Sequence, residues 1–267
     1  MNKIILPVLF YLVFSQLVVA VPCPEVLRQL ATSERSQVSS LYDQLQKTDA
    51  EGKTKLALQS DFDDLIHEGG GGACASATAF NLLQGLRMMA GAATLDPHLV
   101  LDDAFRSIPV LLDGRVTNGQ MNQLLEHFKK YLPGKELDIS LVTSPQHKLT
   151  ADETVRGVVK HFESNHFELN PSELKMVVYQ VHDKEGKLLG RHFVVLKRIV
   201  GDNQIVVVDP NSPKKEFTFQ LTEIAGQNSE EPITRISRTD GKPHSIGWVF
   251  TMDTLLTVKL KNSRSEN

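Results

Sequence analysis

Apolar residues recur at helical spacing between Pro24 and about Asp49, at Val26, Leu27 and Leu30 and then at Val38, Leu41 and Leu45. This pattern predicts one or two amphipathic helices lying over a core. A charged, glycine-containing break at Asp49–Lys53 precedes Leu56–Ile66, which reads as a further short helix. Four glycines, Gly69–Gly72, then interrupt the chain, and each costs a helix about 1 kcal/mol relative to alanine. Directly after them, Ala73–Ala90 is rich in Ala, Leu and Met and has no proline, so it predicts a helix. Asp96-Pro97 is an N-cap followed by the proline preferred at the first helical position, opening a helix toward Leu112. Thr117–Tyr131 reads the same way, closed by Pro133-Gly134, and Asp152–Asn165 predicts one more helix.

The period changes near Leu174. Lys175–Val181, Arg191–Val200, Gln204–Val208, Glu216–Leu221 and Gly247–Leu260 are β-branched and aromatic runs. Turn clusters at Asp183–Gly186, Gly201–Asn203 and Pro210–Pro213 separate them. Helices first and antiparallel strands second imply an α+β class, with N-terminal helices packed on a C-terminal antiparallel sheet. Ala225–Ser245, polar and dotted with Gly and Pro, reads as a surface loop, and the chain beyond Asn262 as a tail.

The start of the chain has a different logic. Lys3 is followed by an apolar run from Ile4 to Val19 and by Val18-Val19-Ala20. A basic start, an apolar stretch and small residues at the end describe a secretory signal peptide cleaved after Ala20. The rival reading is an anchor through residues 4–20, close to the ~18 apolar residues of a spanning helix. Both place the bulk of the chain outside the cytoplasm, and cleavage leaves no stable membrane insertion. The expected organisation is a leader (1–20), an N-terminal helical segment (21–66), a main domain (67–260) and a polar tail (261–267).

With 41% hydrophobic and 23% charged residues, the chain is neither disordered nor collagen-like. A formal charge of −3 argues against a nucleic-acid partner, which calls for a basic face. Two cysteines are too few for a disulfide scaffold. His161, His166 and the acidic trio Asp61, Asp63 and Asp64 form no recognisable metal-ligand pattern, and the glycine run lacks the Lys-Ser/Thr of a phosphate loop.

Three residues carry candidate chemistry. Cys74 stands at the start of a helix, where unpaired N–H groups and the helix dipole create a field favouring thiolate, the nucleophilic form. Two alternatives stand beside this reading. Cys74 can be a small buried apolar residue, or it can pair with Cys23 in a disulfide. His192 heads the run His192-Phe193-Val194-Val195-Leu196, at the mouth of a strand. A tight hairpin turning at 201–203 sets position 192 opposite about 211 or 212. Asp209 then falls within reach of His192 across neighbouring strands. A carboxylate there orients an imidazole base, the third member that a nucleophile–base pair needs.

In order along the chain these segments are Gly-Gly-Ala-Cys-Ala-Ser-Ala-Thr-Ala-Phe-Asn-Leu-Leu, then Gly-Arg-His-Phe-Val-Val-Leu, then Ile-Val-Val-Val-Asp-Pro-Asn. This order resembles the papain-like cysteine peptidases of the bacteriocin-processing, double-glycine-leader type, including their stand-alone secreted relatives. The resemblance covers roughly Gly69–Leu86 and Gly190–Asn211. It implies a papain-like fold, Cys74 as nucleophile, His192 as base and Asp209 as its orienting residue, a peptide or protein substrate, and no cofactor or metal. Two positions depart from the family pattern. No Gln precedes the Cys by a few residues, where the family draws an oxyanion donor, and Ala75 stands where Gly is usual. His67 is the nearest replacement for the missing amide. The expectation is an extracytoplasmic cysteine peptidase or amide hydrolase. The alternative is a weak or inactive papain-like module that binds peptide or surface polymer.

Overall fold

The helix that opens after the glycine run is the centre of the molecule. In the computed structural model, which describes residues 37–67, 72–143, 158–159, 169–170, 172–200, 203–224, 233–239 and 249–262, four α-helices precede most of a large sheet. They are α1 (37–45), α2 (Cys74–Met89), α3 (Pro97–Ser107) and α4 (Asn118–Phe128). Every residue of α2 from Cys74 to Leu86 is buried, as in a helix surrounded by packing on all sides. Its polar side chains therefore need internal partners. Thr78 Oγ1 donates to the Phe193 carbonyl (2.9 Å), which pins α2 to the sheet. Asn81 accepts from Ala57 N (2.7 Å) and donates to Ala57 O, while Gln84 donates to the carbonyls of Lys55 and Leu95. These amides strap the segment after α1 across the helix. Caps expected from sequence are in place: Asp96 accepts from His98 N and Leu99 N, and Thr117 forms a reciprocal capping box with Gln120.

The strands are β1 (Lys135–Thr143), β2 (Val158–Val159), β3 (Glu173–His182), β4 (Leu188–Val200), β5 (Gln204–Val208), β6 (Glu216–Ile224), β7 (Ile233–Arg238) and β8 (Val249–Asn262). Their order is β2-β1-β8-β3-β4-β5-β6-β7, and β7 pairs back onto β8. Six antiparallel strands thus close into a barrel, with β1 and β2 attached outside it along β8. One long strand serves both neighbours by dividing its length. Phe250 and Thr251 pair with β7, and Thr254–Asn262 pair with β1. Asp253, the extra residue between the Tyr179↔Met252 and Val178↔Thr254 pairs, marks the bulge where β8 bends. Tyr179, Phe219 and Phe250 meet edge to face, with ring centroids 5.4–5.7 Å from Tyr179, while α2 packs against β3 and β4.

A second bulge anchors α1. Leu196 pairs with Val207 and Arg198 with Val206, leaving Lys197 as the extra residue. Its side chain is fully buried, and its ammonium bonds Asp43 (2.5 Å), Gln46 Oε1 (2.8 Å) and Glu216. A buried lysine is tolerable only when paired in this way, so this cluster ties α1 to β4 and β6.

The α+β class and the run of helices before strands stand. Several expected elements differ. Leu56–Ile66 forms two 3-10 turns, Gln59–Asp61 and Asp63–Leu65, because the helical bonding never runs beyond a single turn there. The helix expected over Asp152–Asn165 is overturned at Val158–Val159, which pair in parallel with Leu141 and Val142; the rest of that segment lies outside the described residues. The loop expected over Ala225–Ser245 contains β7, drawn into order by β6 and β8 on either side. Strand β1, not among the expected strands, buries Leu137, Ile139 and Leu141 between the more exposed Glu136, Asp138, Ser140 and Val142. Residues 1–36, with the leader and Cys23, lie outside the described residues, as do His161 and His166. Among the described residues no helix is long and apolar enough to cross a membrane.

Candidate active site

Three separate local structures bring Cys74, His192 and Asp209 together. Cys74 is the first residue of α2, 7% exposed and carrying a free thiol. His192 lies in β4 opposite Tyr179 of β3. The β4–β5 ladder pairs Val195 with Val208, so continuing it sets position 192 against 211. Asp209 leaves β5 in a turn, its carboxylate oriented by the Asn211 N–H (2.8 Å). His192 Nε2 donates to Asp209 Oδ1 across 2.9 Å, and both side chains are largely enclosed. The Cys74 sulfur lies near enough to the imidazole to bear on its titration. Because Asp209 occupies Nε2, Nδ1 is the nitrogen left to face the sulfur.

Burial of His192 disfavours its charged form. The Asp209 carboxylate and the Cys74 sulfur outweigh that penalty, and the pKa rises to about 10. Tyr179, 5.4 Å from the His192 ring, has its phenol held well above its usual range by burial and then by the charges of Asp209 and Cys74.

Gln59 reaches the segment before Cys74 from an unexpected place. Gln59 begins the 3-10 turn fifteen residues upstream of Cys74. Its backbone N–H donates to the carbonyl of Pro210 (2.8 Å), which fixes it beside the turn carrying Asp209. Its side chain crosses directly over Gly72, where a Cβ would lie 2.3 Å from Gln59 Nε2. Only glycine permits that approach. The Gln59 Oε1 is buried without a partner among the described residues. Asp63 completes the arrangement: its Oδ1 accepts from Ala73 N (2.8 Å) and, at 3.3 Å, from Gln59 Nε2. Ala73, which has no side-chain cap of its own, is thus held from outside the helix.

His67 does not take this place. Its ring faces Asp113 (3.2 Å) on the surface and its N–H donates to Leu112 O; Glu68 lies outside the described residues. No side-chain pattern in the few residues before Cys74 points to Gln59, fifteen positions upstream. The glycine run was the available signal, because a stretch without side chains is where a distant one can cross.

On the far face of β4, Arg191 bonds Asp253 through Nε (2.7 Å) and Nη2 (2.5 Å), and Asn118 Oδ1 at 2.9 Å. Asp253 is fully buried and also accepts from Gln180 Nε2 (3.0 Å). This network joins α4, β3, β4 and β8 immediately beside His192. Beside the imidazole itself opens a cup of about 260 Å³, lined by Tyr179, Val181, Leu189, Phe250 and the rims of β4 and the Asp209 turn. Among the described residues no group of three or more His, Cys, Asp or Glu could hold a metal ion. Compared with protein-family models, with curated proteins and with solved structures, the chain matches none.

Proposed function

We propose that this chain is a papain-like cysteine hydrolase acting on a peptide or amide bond outside the cytoplasm. The observation that carries the reading is one imidazole bonded to a buried carboxylate through Nε2, with a helix-terminal thiol near enough to bear on its titration. Nucleophile, base and orienting group in series are what acyl transfer requires. The imidazolium of His192 holds the proton of the Cys74 thiol, and the sulfur attacks the carbonyl carbon. The tetrahedral oxyanion is met by the Cys74 backbone N–H, which as a first helical residue has no intrahelical acceptor, and by Gln59 Nε2. The C–N bond then breaks as the imidazolium returns the proton to the leaving nitrogen. A water deprotonated by His192 attacks the resulting thioester, releasing the acid and the thiol.

Gln59 tests the electrostatic half of this scheme. Gln59→Ala is expected to lower kcat by about 10²–10³ with little change in KM, the usual loss for one oxyanion donor. Its thermal midpoint is read in parallel, because a midpoint that falls in step with kcat would mark a merely structural role.

The wild-type protein is expected to cleave members of a mixed peptide library, and one equivalent of iodoacetamide on Cys74 is expected to stop it. Imidazolium is the acid for the leaving amine. Because His192 titrates above an ordinary histidine, its charged form persists through neutral pH and disappears as pH rises through about 10. The alkaline limb of kcat/KM is therefore expected near pH 10, and at lower pH in Asp209→Ala, which lacks the carboxylate that raises the value. The same sign governs stability: the His192–Asp209 contribution is complete below the ordinary histidine range and is lost as pH climbs through about 10. An uncleaved library together with a Cys74 inert to iodoacetamide would leave a peptide-binding module as the correct reading.

A further inference from the structure

We infer that a second cleft, of about 670 Å³ and separate from the Cys74 site, docks an acidic segment of a polypeptide. The inference goes beyond the hydrolase reading and does not depend on it. The walls of the cleft are the 49–58 segment, the start of α3 and the Ser212–Lys215 turn, and none of Cys74, His192 and Asp209 lines it. Its lining includes four lysines, Lys53, Lys55, Lys214 and Lys215.

The chain as a whole is acidic, with 29 basic against 32 acidic residues, so four lysines around one cleft are a local reversal of charge. Elsewhere lysines are held by carboxylates, as Lys129 is by Glu126, Lys130 by Asp103, Lys259 by Glu173 and Lys261 by Asp138. The four in the cleft are exposed, and none forms an ion pair among the described residues. Three aspartates also line the cleft, and two of them serve the backbone. Asp49 accepts from Lys53 N (2.8 Å), and Asp96 caps α3 through His98 N and Leu99 N. Asp61 is the third, against four cations. Cations gathered on a concave surface focus their field into it and draw in an anionic partner.

The backbone that carries these lysines is fixed before anything binds. Lys55 N donates to Leu45 O at the end of α1 (3.1 Å), and the Lys55 carbonyl accepts from Gln84 Nε2 (2.8 Å). Gln46, the residue after α1, donates to Pro213 O (2.8 Å), beside Lys214. Both lysine pairs therefore hang from one helix end, so docking orders side chains rather than loops and costs less entropy. The lining also has an apolar part that lies deeper: Leu56 and Pro213 are buried and Leu95 is half-buried. An acidic sugar polymer has no aliphatic side chains for such a floor. A peptide that alternates carboxylate and aliphatic side chains satisfies a charged rim and an apolar floor together.

The test is fluorescence anisotropy of a labelled peptide of alternating Glu and Leu, with a Gln-Leu peptide as its uncharged counterpart. It is read on Cys74→Ala protein, which leaves the probe intact whether or not the chain is a hydrolase. The Glu-Leu peptide is expected to bind about tenfold more tightly than the Gln-Leu peptide or better, and to weaken as salt screens the lysines. Adding Lys55→Glu with Lys214→Glu is expected to lower its affinity by about tenfold or more. Adding Lys184→Glu with Lys187→Glu instead makes the same change in net charge on the turn between β3 and β4, and is expected to leave binding unchanged. All four substituted lysines are exposed, and an unchanged thermal midpoint verifies each fold. Equal binding of the two peptides, equal loss in the two lysine variants, or binding of a sulfated polysaccharide but not of the Glu-Leu peptide overturns the inference. None of these outcomes bears on catalysis, whose failure is read separately in library cleavage by wild type.

Discussion

Cys74→Ala and His192→Ala are each expected to lose about 10⁴–10⁶ in kcat/KM on a cleaved peptide, and the double variant to be no slower than either. The reason is that the two groups act as one device. Thiol and imidazole exchange a single proton, so removing either leaves the other without its role. What remains is positioning and the oxyanion donors, which need neither side chain. Steady-state rates of the three variants, measured against uncatalysed hydrolysis, check this. Losses that add on a logarithmic scale would mean independent contributions and would remove the nucleophile–base assignment. For the His192 variant, which leaves the buried Asp209 without its imidazole, the thermal midpoint is read beside the rates. Cys74→Ala deletes one sulfur at a helix start among alanines, and a far-ultraviolet spectrum unchanged from wild type verifies its fold.

The largest stability effect is expected at Arg191. Asp253 is fully buried, and the guanidinium that bonds it twice is also the link to Asn118 on α4. Arg191→Ala strips a buried carboxylate of its cation, which costs about 3–5 kcal/mol. The expected result is a urea midpoint shifted down with an unchanged slope. Replacing the pair together, Arg191→Met with Asp253→Leu, is expected to recover most of the loss, because the charge no longer needs compensation. A double variant as unstable as the single one would mean that the network acts through shape and hydrogen bonds rather than charge. His192 is the next residue along β4, so the Arg191 variant is also expected to lose activity before it unfolds.

Much of the helical half was legible because its signals are local. Asp96-Pro97 and Thr117 through Gln120 cap helices by bonds spanning two or three residues, and the alanine-rich stretch after the glycines has no competing conformation. The hairpin of β4 and β5 was legible for the same reason, and with it the approach of Asp209 to His192. Elements that depend on partners were not. Strand β7 is six residues long and gains its order from β6 and β8, and Val158–Val159 pair with a strand that precedes them. Periodicity within a segment carries no information about which edge will receive it.

By itself, then, the amino-acid order determined where α2 begins, that a cysteine stands at its first turn, and which ends of one hairpin carry an imidazole and a carboxylate. Those outcomes follow from capping, glycine's cost in helices and the two-residue period of strands, all settled within a few neighbours. Tertiary structure alone decided that the barrel closes through β8, that Gln59 crosses Gly72 from a separate turn, and that Lys197 and Asp253 are the residues squeezed out of register. Each of these depends on contacts between distant segments, where burial and hydrogen-bond pairing across the whole fold choose among arrangements that are locally equivalent.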